Sequence, residues 1–243
     1  MGKAVLAIDH KPIIGIILDE NTSQGATAYE AGKGYFRAIE RAGGIGIGLS
    51  YSPDSVLFAL RICAGLLSTG ARIQFPADWY RADQTSQAPQ SERFEIERAL
   101  VEAFLLEDRP YLGICNGMQM LACLTGSLMS GDIARYTDGT IPHDDPTTRH
   151  EIDVIAGTKL HAIIGKDRLI VNSFHRECVV EVGAHLKVSA YSIDGIIEAV
   201  ERADKSFALG IQWHGERLLD ESEDAQAVFS AFVQACRIYA QCA

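Results

Sequence analysis

Residues 111–119 read YLGICNGMQ, and this stretch decides the fold. An apolar run ends in Gly-x-Cys-x-Gly, and a helix-compatible segment follows at once. This order predicts a nucleophile elbow, in which a buried strand turns sharply into a helix and presents one side chain at the tip. Gly113 and Gly117 lack the Cβ atoms that would collide across so tight a turn. The elbow therefore places Cys115 at its tip.

The predicted position of Cys115 favours a reactive thiolate. The N-terminus of a helix carries a partial positive charge, which stabilises the thiolate over the thiol, and the thiolate is the nucleophile. The competing interpretation is a small buried apolar cysteine, which is the commoner fate of this residue type. The elbow alone leaves both interpretations open.

A second motif, LGIQWHGE at residues 209–216, supplies partners for a cysteine nucleophile. A β-like run ends in His214, and Glu216 follows two positions later. Residues i and i+2 of an extended segment point to the same side, so the acid can hold the imidazole that serves as the base. For an arbitrary His-x-Glu, a strand-end histidine beside a solvated acid is the alternative.

Strand and helix patterns alternate along the first half of the chain, and strand patterns dominate the second. Strands are predicted at 13–18, 45–49, 65–68 and 111–114, helices at 28–42, 53–63, 91–107, 118–124 and 220–240, loops at 83–89 and 126–150, and mostly strands over 151–214. Such alternation implies an α/β fold whose parallel sheet has right-handed crossovers. We expect one domain over residues 1–243, with ligands at the carboxyl ends of its strands.

Composition narrows the classes of partner. The 22 Lys and Arg residues against 32 Asp and Glu give a formal net charge of −10, which argues against nucleic acids and anionic membranes. The apolar fraction of 47% is enough to cover both faces of a parallel sheet. No apolar run reaches the length of a membrane span, and the N-terminus lacks a secretory pattern.

The six cysteines form no C-x-x-C pair and no zinc-type cluster with histidines. Free thiols indicate a reducing compartment, and the cytoplasm is the expected location. Cys123, within the elbow helix, is predicted to pack in the core. The His143-Asp144-Asp145 turn is expected to be a solvated loop rather than a set of metal ligands, and His10, His161 and His185 are expected at the surface.

Five motifs in order resemble a known family. GICNGMQ at 113–119 and GIQWHGE at 210–216 are similar to the signatures of class I glutamine amidotransferase domains. KPIIGI at 11–16, VNSFH at 171–175 and DGIIEA at 194–199 resemble segments of the γ-glutamyl hydrolase branch, peptidase C26. The resemblance implies a flavodoxin-like, three-layer parallel or mixed sheet with a strand-rich C-terminal half.

The resemblance also assigns expected roles to residues of this chain. Cys115, His214 and Glu216 would form the catalytic triad. The turn that contains Gly70 corresponds to the family's oxyanion turn, so the backbone N–H groups of Ala71 and Asn116 would bind the oxyanion. Two positions depart from the family pattern. Ala71 stands where the family usually has Gly, and Gly215 stands where it usually has Pro between the His and the Glu.

Further residues are carried over for substrate binding. Gln119 would lie beside the glutamyl group, and Ser173, Phe174 and His175 would line the γ-glutamyl pocket. The resemblance implies neither a metal nor a cofactor, and the expected partner is a small-molecule γ-glutamyl substrate. A homodimer is left open.

The function implied is a cysteine-dependent hydrolase that cleaves the γ-glutamyl amide of a small amine through a γ-glutamyl thioester. Two other functions remain open at this point. One is a glutaminase subunit that supplies ammonia to a separate synthase. The other is a catalytically weakened binding relative, which remains open because of the departures at Ala71 and Gly215.

Overall fold

The computed structural model describes residues 11–21, 25 and 28–242. The expectations for His10 and for a missing secretory pattern fall on the first ten residues, outside the described part of the chain. The strands are β1 (Ile13–Ile17), β2 (Asp19–Glu20), β3 (Tyr29–Glu30), β4 (Ile45–Leu49), β5 (Gly65–Ser68), β6 (Tyr111–Ile114), β7 (Leu128–Ser130), β8 (Arg149–Val154), β9 (Arg168–Asn172), β10 (Cys178–Glu181), β11 (Lys187–Ser192), β12 (Ile197–Glu201) and β13 (Ala208–Ile211). The helices are α1 (Lys33–Arg41), α2 (Pro53–Ile62), α3 (Arg93–Leu106), α4 (Asn116–Leu124), α5 (Lys159–Ile164) and α6 (Glu223–Cys242).

A nine-stranded mixed sheet, in the order β4-β1-β5-β6-β13-β12-β11-β8-β9, organises the described residues. The strands from β4 to β13 in this order pair in parallel. The strands from β12 to β9 join antiparallel. Because β5, β6 and β13 run the same way, the residues that follow them meet at one edge of the sheet.

Two hydrophobic cores cover the two faces of this sheet. One core joins the sheet to α1, α5 and α6, and includes Ile39, Leu160 and Phe232. The other joins it to α2, α3 and α4, and includes Leu100 and Met118. The predicted three-layer α/β fold with a strand-rich C-terminal half is therefore confirmed.

The structure corrects several predicted boundaries. The helix predicted to begin at residue 28 begins at Lys33, because residues 29–30 form β3 instead and pair with β2. The elbow helix begins two residues earlier than predicted, at Asn116. Helix α5 was missed, since its six residues lie within a strand-rich region. Its start is marked by Thr158, whose hydroxyl accepts from the His161 N–H.

The six cysteines all lie within the described residues and are free thiols. Cys123 is buried as predicted, and burial raises its pKa above the ordinary thiol value, so it remains a protonated core residue. Among the helices in the described ranges, none has both the length and the apolar character needed to cross a bilayer.

Candidate active site

Cys115 occupies the tip of a strained elbow between β6 and α4. Its φ of 53° and ψ of −103° lie in a backbone region that residues other than glycine rarely adopt. A Cβ added at Gly113 would lie 2.4 Å from the Gly117 carbonyl carbon, and one added at Gly117 would lie 2.5 Å from the Ser68 carbonyl oxygen. The two glycines are therefore required by close backbone approach, which confirms the predicted elbow.

His214 and Glu216 form a buried pair just beyond β13. The Nδ1 atom of His214 lies 2.8 Å from Oε1 of Glu216, and both residues are almost fully buried. The pairing is as predicted, but Glu216 reaches the ring through a short 3₁₀ turn, Gly215–Arg217, and not along an extended segment. His214 and Cys115 lie next to each other, since a Cβ added at Gly70 would contact both His214 Cε1 and Cys115 Cβ. Because Nδ1 is held by Glu216, Nε2 is the ring nitrogen that remains for the thiol.

The electrostatics of this group favour a charged imidazole. Burial disfavours the cation, but the Glu216 carboxylate and the contact with Cys115 outweigh it and raise the pKa of His214 to about 10. A protonated His214 next to a thiol is the arrangement that supports a thiolate–imidazolium pair. The geometry therefore joins a nucleophile, an acid–base group and an orienting carboxylate.

The turn after β5 lies against this pair. A Cβ at Gly70 would lie 2.5 Å from Cε1 of His214 and 3.4 Å from Cβ of Cys115, so only glycine fits there. The Gly70 N–H donates to the Tyr35 hydroxyl at 3.0 Å. Burial raises the pKa of Tyr35 well above its ordinary value, with Glu216 adding to the effect, so the phenol remains neutral. Tyr35 was not anticipated from the sequence.

The predicted oxyanion donors remain available on this geometry. Within the described residues, the backbone N–H groups of Ala71 and Asn116 donate to no protein acceptor. Ala71 is absent from the residues with positive φ, so its methyl group causes no backbone strain. Their role in binding an oxyanion stays a prediction.

A buried ion pair that sequence reasoning missed supports both donor segments. Arg93 and Glu97 on α3 are fully buried, with Nε and Oε2 2.6 Å apart. Arg93 also donates to the Thr69 carbonyl at 2.6 Å, while the Asn116 side chain donates to Glu97 at 3.2 Å. Both residues lie in the helix predicted at 91–107, and their i, i+4 spacing is that of an ordinary ion pair on a helix surface, so it does not indicate burial.

The cleft in front of Cys115 has a volume of about 610 Å³. Gln119 lines it, and its Nε2 donates to the Glu177 carbonyl at 3.1 Å and to Gln212 Oε1 at 3.2 Å. Phe174 and His175 line it too, Phe174 half-exposed and His175 buried. Ser173 does not line the cleft, because its hydroxyl is buried 3.0 Å from Nδ1 of His143.

Both signs of charge line the cleft. Its cations are Arg72, Arg176 and Arg217, and its acids are Asp19, Glu30, Asp144, Glu177 and Glu216. Arg176 is paired with Asp144, and Arg217 lies 3.5 Å from Glu216 and over the Phe174 ring. Within the described residues Arg72 forms no ion pair, and it donates to the Gln87 carbonyl at 3.4 Å. It is therefore a lining cation whose charge is available to an anionic group.

The peptidase C26 family model matches residues 12–216, which is most of the chain and includes every residue of the elbow and of the His–Glu motif. The chain belongs to the peptidase C26 family. It is 28% identical over 236 residues to protein NtpR of Enterococcus hirae, covering 92% of this chain and 98% of that protein.

Two further proteins are similar along nearly their full length. The γ-glutamyl-γ-aminobutyrate hydrolase PuuD of Escherichia coli K12 is 27% identical over 242 residues, covering 95% of each chain. The crystal structure of a putative GMP synthase component from Thermoplasma acidophilum superposes with a TM-score of 0.67 at 14% identity, covering 96% of this chain and 98% of that one. At that identity the likeness shows the fold alone.

The expectation of a solvated loop at His143 is wrong. His143 does not lie in a solvated loop: it is 2% exposed, although Asp144 beside it is exposed. Its ring packs against the rings of His150 and His175. Burial lowers the pKa of His143 below its ordinary value, and the neighbouring His175 adds to the effect. Two further histidines of the described residues were expected at the surface. His185 is exposed as expected, whereas His161 is partly buried and lies 3.0 Å from Asp167.

Proposed function

We propose that this chain hydrolyses the γ-glutamyl amide bond of a small γ-glutamylated amine. The observation that carries the proposal is the meeting of Cys115 with the His214–Glu216 pair at the floor of one cleft. Such a set is the arrangement that nucleophilic acyl transfer needs, with the third group holding the imidazole in the useful tautomer.

The first half-reaction acylates the cysteine. The Cys115 thiolate attacks the γ-carbonyl carbon, and the carbonyl electron pair moves onto oxygen. The N–H groups of Ala71 and Asn116 donate to that oxyanion; backbone donors fixed before the charge develops are effective at this task. His214 then gives its Nε2 proton to the leaving nitrogen as the C–N bond breaks, so the amine departs and a γ-glutamyl thioester remains.

The second half-reaction hydrolyses the thioester. Neutral His214 takes a proton from water, and the resulting hydroxide attacks the same carbonyl carbon through the same oxyanion site. The C–S bond breaks, glutamate leaves, and the thiolate is restored beside the imidazolium. Glu216 keeps Nδ1 protonated throughout and stabilises the charge on the ring.

The charges of the cleft fit the amino-acid end of a γ-glutamyl group. That end carries an α-carboxylate and an α-ammonium, and it needs a cation and an anion side by side. Arg72 is free to pair with the carboxylate, and Glu177 accepts from Tyr80 and Ser86 while lining the same cleft. The name of the PuuD relative suggests γ-glutamyl-γ-aminobutyrate as the first amide to test.

Two features weigh against a catalytically weakened relative. Ala71 lies at a φ that any residue adopts, and the His214–Glu216 contact is 2.8 Å despite glycine between them. Neither departure therefore places a side chain at positive φ or separates His214 from Glu216. For this function we further propose a cytoplasmic enzyme that acts without a partner protein.

A panel assay of the purified full chain tests the proposal. We expect release of the amine from γ-glutamyl-γ-aminobutyrate or a related γ-glutamyl amide, faster than release of ammonia from free glutamine. Mass spectrometry of the quenched reaction should find the glutamyl group on the tryptic peptide that contains Cys115, and Cys115→Ala should abolish both signals. Activity that appears only with glutamine and an added synthase would establish the glutaminase function instead.

A further inference from the structure

A second cluster of chemically active side chains lies behind one wall of the cleft. Its members, three histidines and one glutamate, come from four separate places in the chain: His143 before β8, His150 on β8, His175 after β9 and Glu198 on β12. Their exposures are 2%, 7%, 5% and 0%. None of them belongs to the Cys115–His214–Glu216 set.

The cluster converges on a single oxygen atom. Glu198 Oε1 lies 3.7 Å from His143 Nδ1, 3.7 Å from His150 Nε2 and 3.7 Å from His175 Nε2. These separations are too long for hydrogen bonds. Both carboxylate oxygens of Glu198, together with His150 Nε2 and His175 Nε2, have no hydrogen-bond partner among the described residues. A buried carboxylate without a partner is costly, so the arrangement calls for a further group.

In each histidine, one ring nitrogen faces Glu198, and the hydrogen bond of the other nitrogen shows which of the two carries the proton. Nδ1 of His150 lies 3.2 Å from the Glu151 carbonyl and Nδ1 of His175 lies 3.1 Å from the Glu177 carbonyl. Nε2 of His143 lies 3.1 Å from the Asp194 carboxylate. Carbonyls and carboxylates only accept, so these nitrogens carry the protons. In a neutral ring the remaining lone pair then faces Glu198, which is the pattern of metal-binding histidines.

We propose that His143 Nδ1, His150 Nε2 and Glu198 bind a divalent transition-metal ion, with zinc as the best fit. His175 Nε2 lies 3.7 Å from Glu198 Oε1 but outside this three-residue group, and it would become the fourth ligand by a movement of its ring towards the other two histidines. The ligand atoms of the first three residues all lie within 4.8 Å of one another. Ligands about 2.1 Å from a tetrahedral zinc ion stand roughly 3.4 Å apart. The 3.7 Å separations from Glu198 Oε1 therefore need to close by a few tenths of an ångström, and the widest ligand separation, at most 4.8 Å, by up to about 1.4 Å.

Charge balance supports a dication at this place. Glu198 and Asp194 bring two buried carboxylates, and neutral imidazoles add no charge. One divalent ion therefore neutralises the cluster. Without it, Asp194 still accepts hydrogen bonds from Ser192 and Thr137, but three neutral rings leave the Glu198 carboxylate with no partner in the described part of the chain. The Ser173 hydroxyl now lies 3.0 Å from His143 Nδ1. Metal binding at that nitrogen would displace the hydroxyl to the edge of the metal site.

The bound ion would stabilise segment 172–175, which forms part of the wall of the cleft. His175 follows Phe174, which lines the cleft, and Asn172 in the same segment bonds to the backbone of His214. The site is closed by buried side chains, which is typical of structural rather than catalytic zinc.

Metal binding to the full chain in the Cys115→Ala background tests the proposal, because that change removes the thiol beside His214 as a competing ligand. After chelation and desalting, we expect one equivalent of added Zn²⁺ to be retained. Co²⁺ should give a d–d spectrum without a thiolate charge-transfer band. Zinc retained by the wild type but not by Cys115→Ala would place the metal at the catalytic cysteine and overturn the proposal.

Two further variants separate ligation from packing. Glu198→Gln should weaken Zn²⁺ binding at least about tenfold, and the matched control His161→Gln, from a His–Asp pair outside the cluster, should leave it unchanged. In metal-free protein Glu198→Gln should unfold at or above the parent temperature, because it removes an unpartnered buried charge. Unfolding at a clearly lower temperature without metal, with unchanged Zn²⁺ affinity, would show that protonated histidines pair with Glu198 and that no metal site exists.

Discussion

Asn172 holds the backbone of His214 at both of its polar groups. Its Nδ2 donates to the His214 carbonyl at 2.9 Å, and its Oδ1 accepts from the His214 N–H at 2.8 Å. The two residues are 42 positions apart, and both are buried. An amide is the side chain that can donate and accept at once, so Asn172 sets the position of the imidazole without touching the ring.

Replacing Asn172 by Asp tests this double contact. The carboxylate can still accept from the His214 N–H, but its other oxygen then faces the His214 carbonyl with no proton between them. We expect the free energy of unfolding to fall by about 1–3 kcal/mol and kcat to fall with it. Denaturant unfolding and steady-state kinetics measure the two effects. A variant as stable and as fast as the wild type would show that the contact is incidental.

Gly70→Ala should slow the enzyme about a hundredfold by displacing the imidazole. The new Cβ would lie 2.5 Å from His214 Cε1, so the ring or the turn must move. A misplacement near 1 Å costs roughly a hundredfold in rate. The measurement is kcat on the best γ-glutamyl amide.

Gly215→Ala is the matched control for that variant. Its Cβ would meet nothing nearer than 3.5 Å, and Gly215 is not among the positive-φ glycines. We expect a near-wild-type rate and a gain of about 0.4–1 kcal/mol in stability, because alanine restricts the unfolded chain. Equal rate losses in both variants would contradict the assigned close approach at Gly70.

The two cysteines of the elbow region should behave differently. Cys115→Ala removes the nucleophile from a site that tolerates a small side chain, so turnover should vanish while the fold persists. Cys123→Ala truncates a buried core side chain and should cost about 0.5–3 kcal/mol of stability with little change in rate. Circular dichroism, thermal unfolding and amide hydrolysis are the readouts. A folded Cys115→Ala variant with wild-type turnover would refute the catalytic assignment.

Ala71→Gly should change the rate modestly in either direction. The oxyanion bond comes from the backbone N–H, and Ala71 lies outside the positive-φ residues, so glycine relieves no strain. Loss of an oxyanion donor typically costs on the order of a hundredfold or more, which is the scale for comparison. A hundredfold rise from a nearly inactive wild type would instead identify this chain as a weakened relative.

Stability should depend on pH through His214. Although burial opposes the cation, Glu216 and Cys115 raise the folded-state pKa from 6.5 to about 10. A raised folded-state pKa adds stability that is complete below about pH 6.5 and is lost as the pH rises towards 10. Denaturant unfolding at the two ends of this window should show the wild type losing more stability than Glu216→Gln. Parallel losses in both proteins would mean that His214 is neutral in the folded enzyme.

A homodimer stays a prediction that light scattering can decide. Helix α2 leaves Leu57 and Phe58 more than half exposed, and Ile62 lies on the same helix with 37% exposure. If this face joins two copies, Phe58→Asp should convert a dimer to a monomer without unfolding it. A wild type that is monomeric at assay concentrations would remove the prediction.

The sequence by itself determined the features that depend on neighbours along the chain. The elbow follows from Gly113 and Gly117 around Cys115, because glycines at this spacing indicate two positions where the backbone passes too close to its neighbours for a Cβ. The His214–Glu216 pair follows from a two-residue spacing. The α/β class follows from alternating patterns, and the chain's motifs were specific enough to indicate the family.

Only the tertiary structure decided which distant polar groups meet. Nothing local distinguishes Arg93 and Glu97 from solvated charges on α3, yet the fold buries them against Thr69 and Asn116. The same holds for His143 and Glu198, which the loop before β8 and strand β12 bring together. Hydrophobic and glycine patterns encode burial and backbone path over a few residues. The partner of a buried charge is set by where separate strands and loops cross, and a single sequence does not record that crossing.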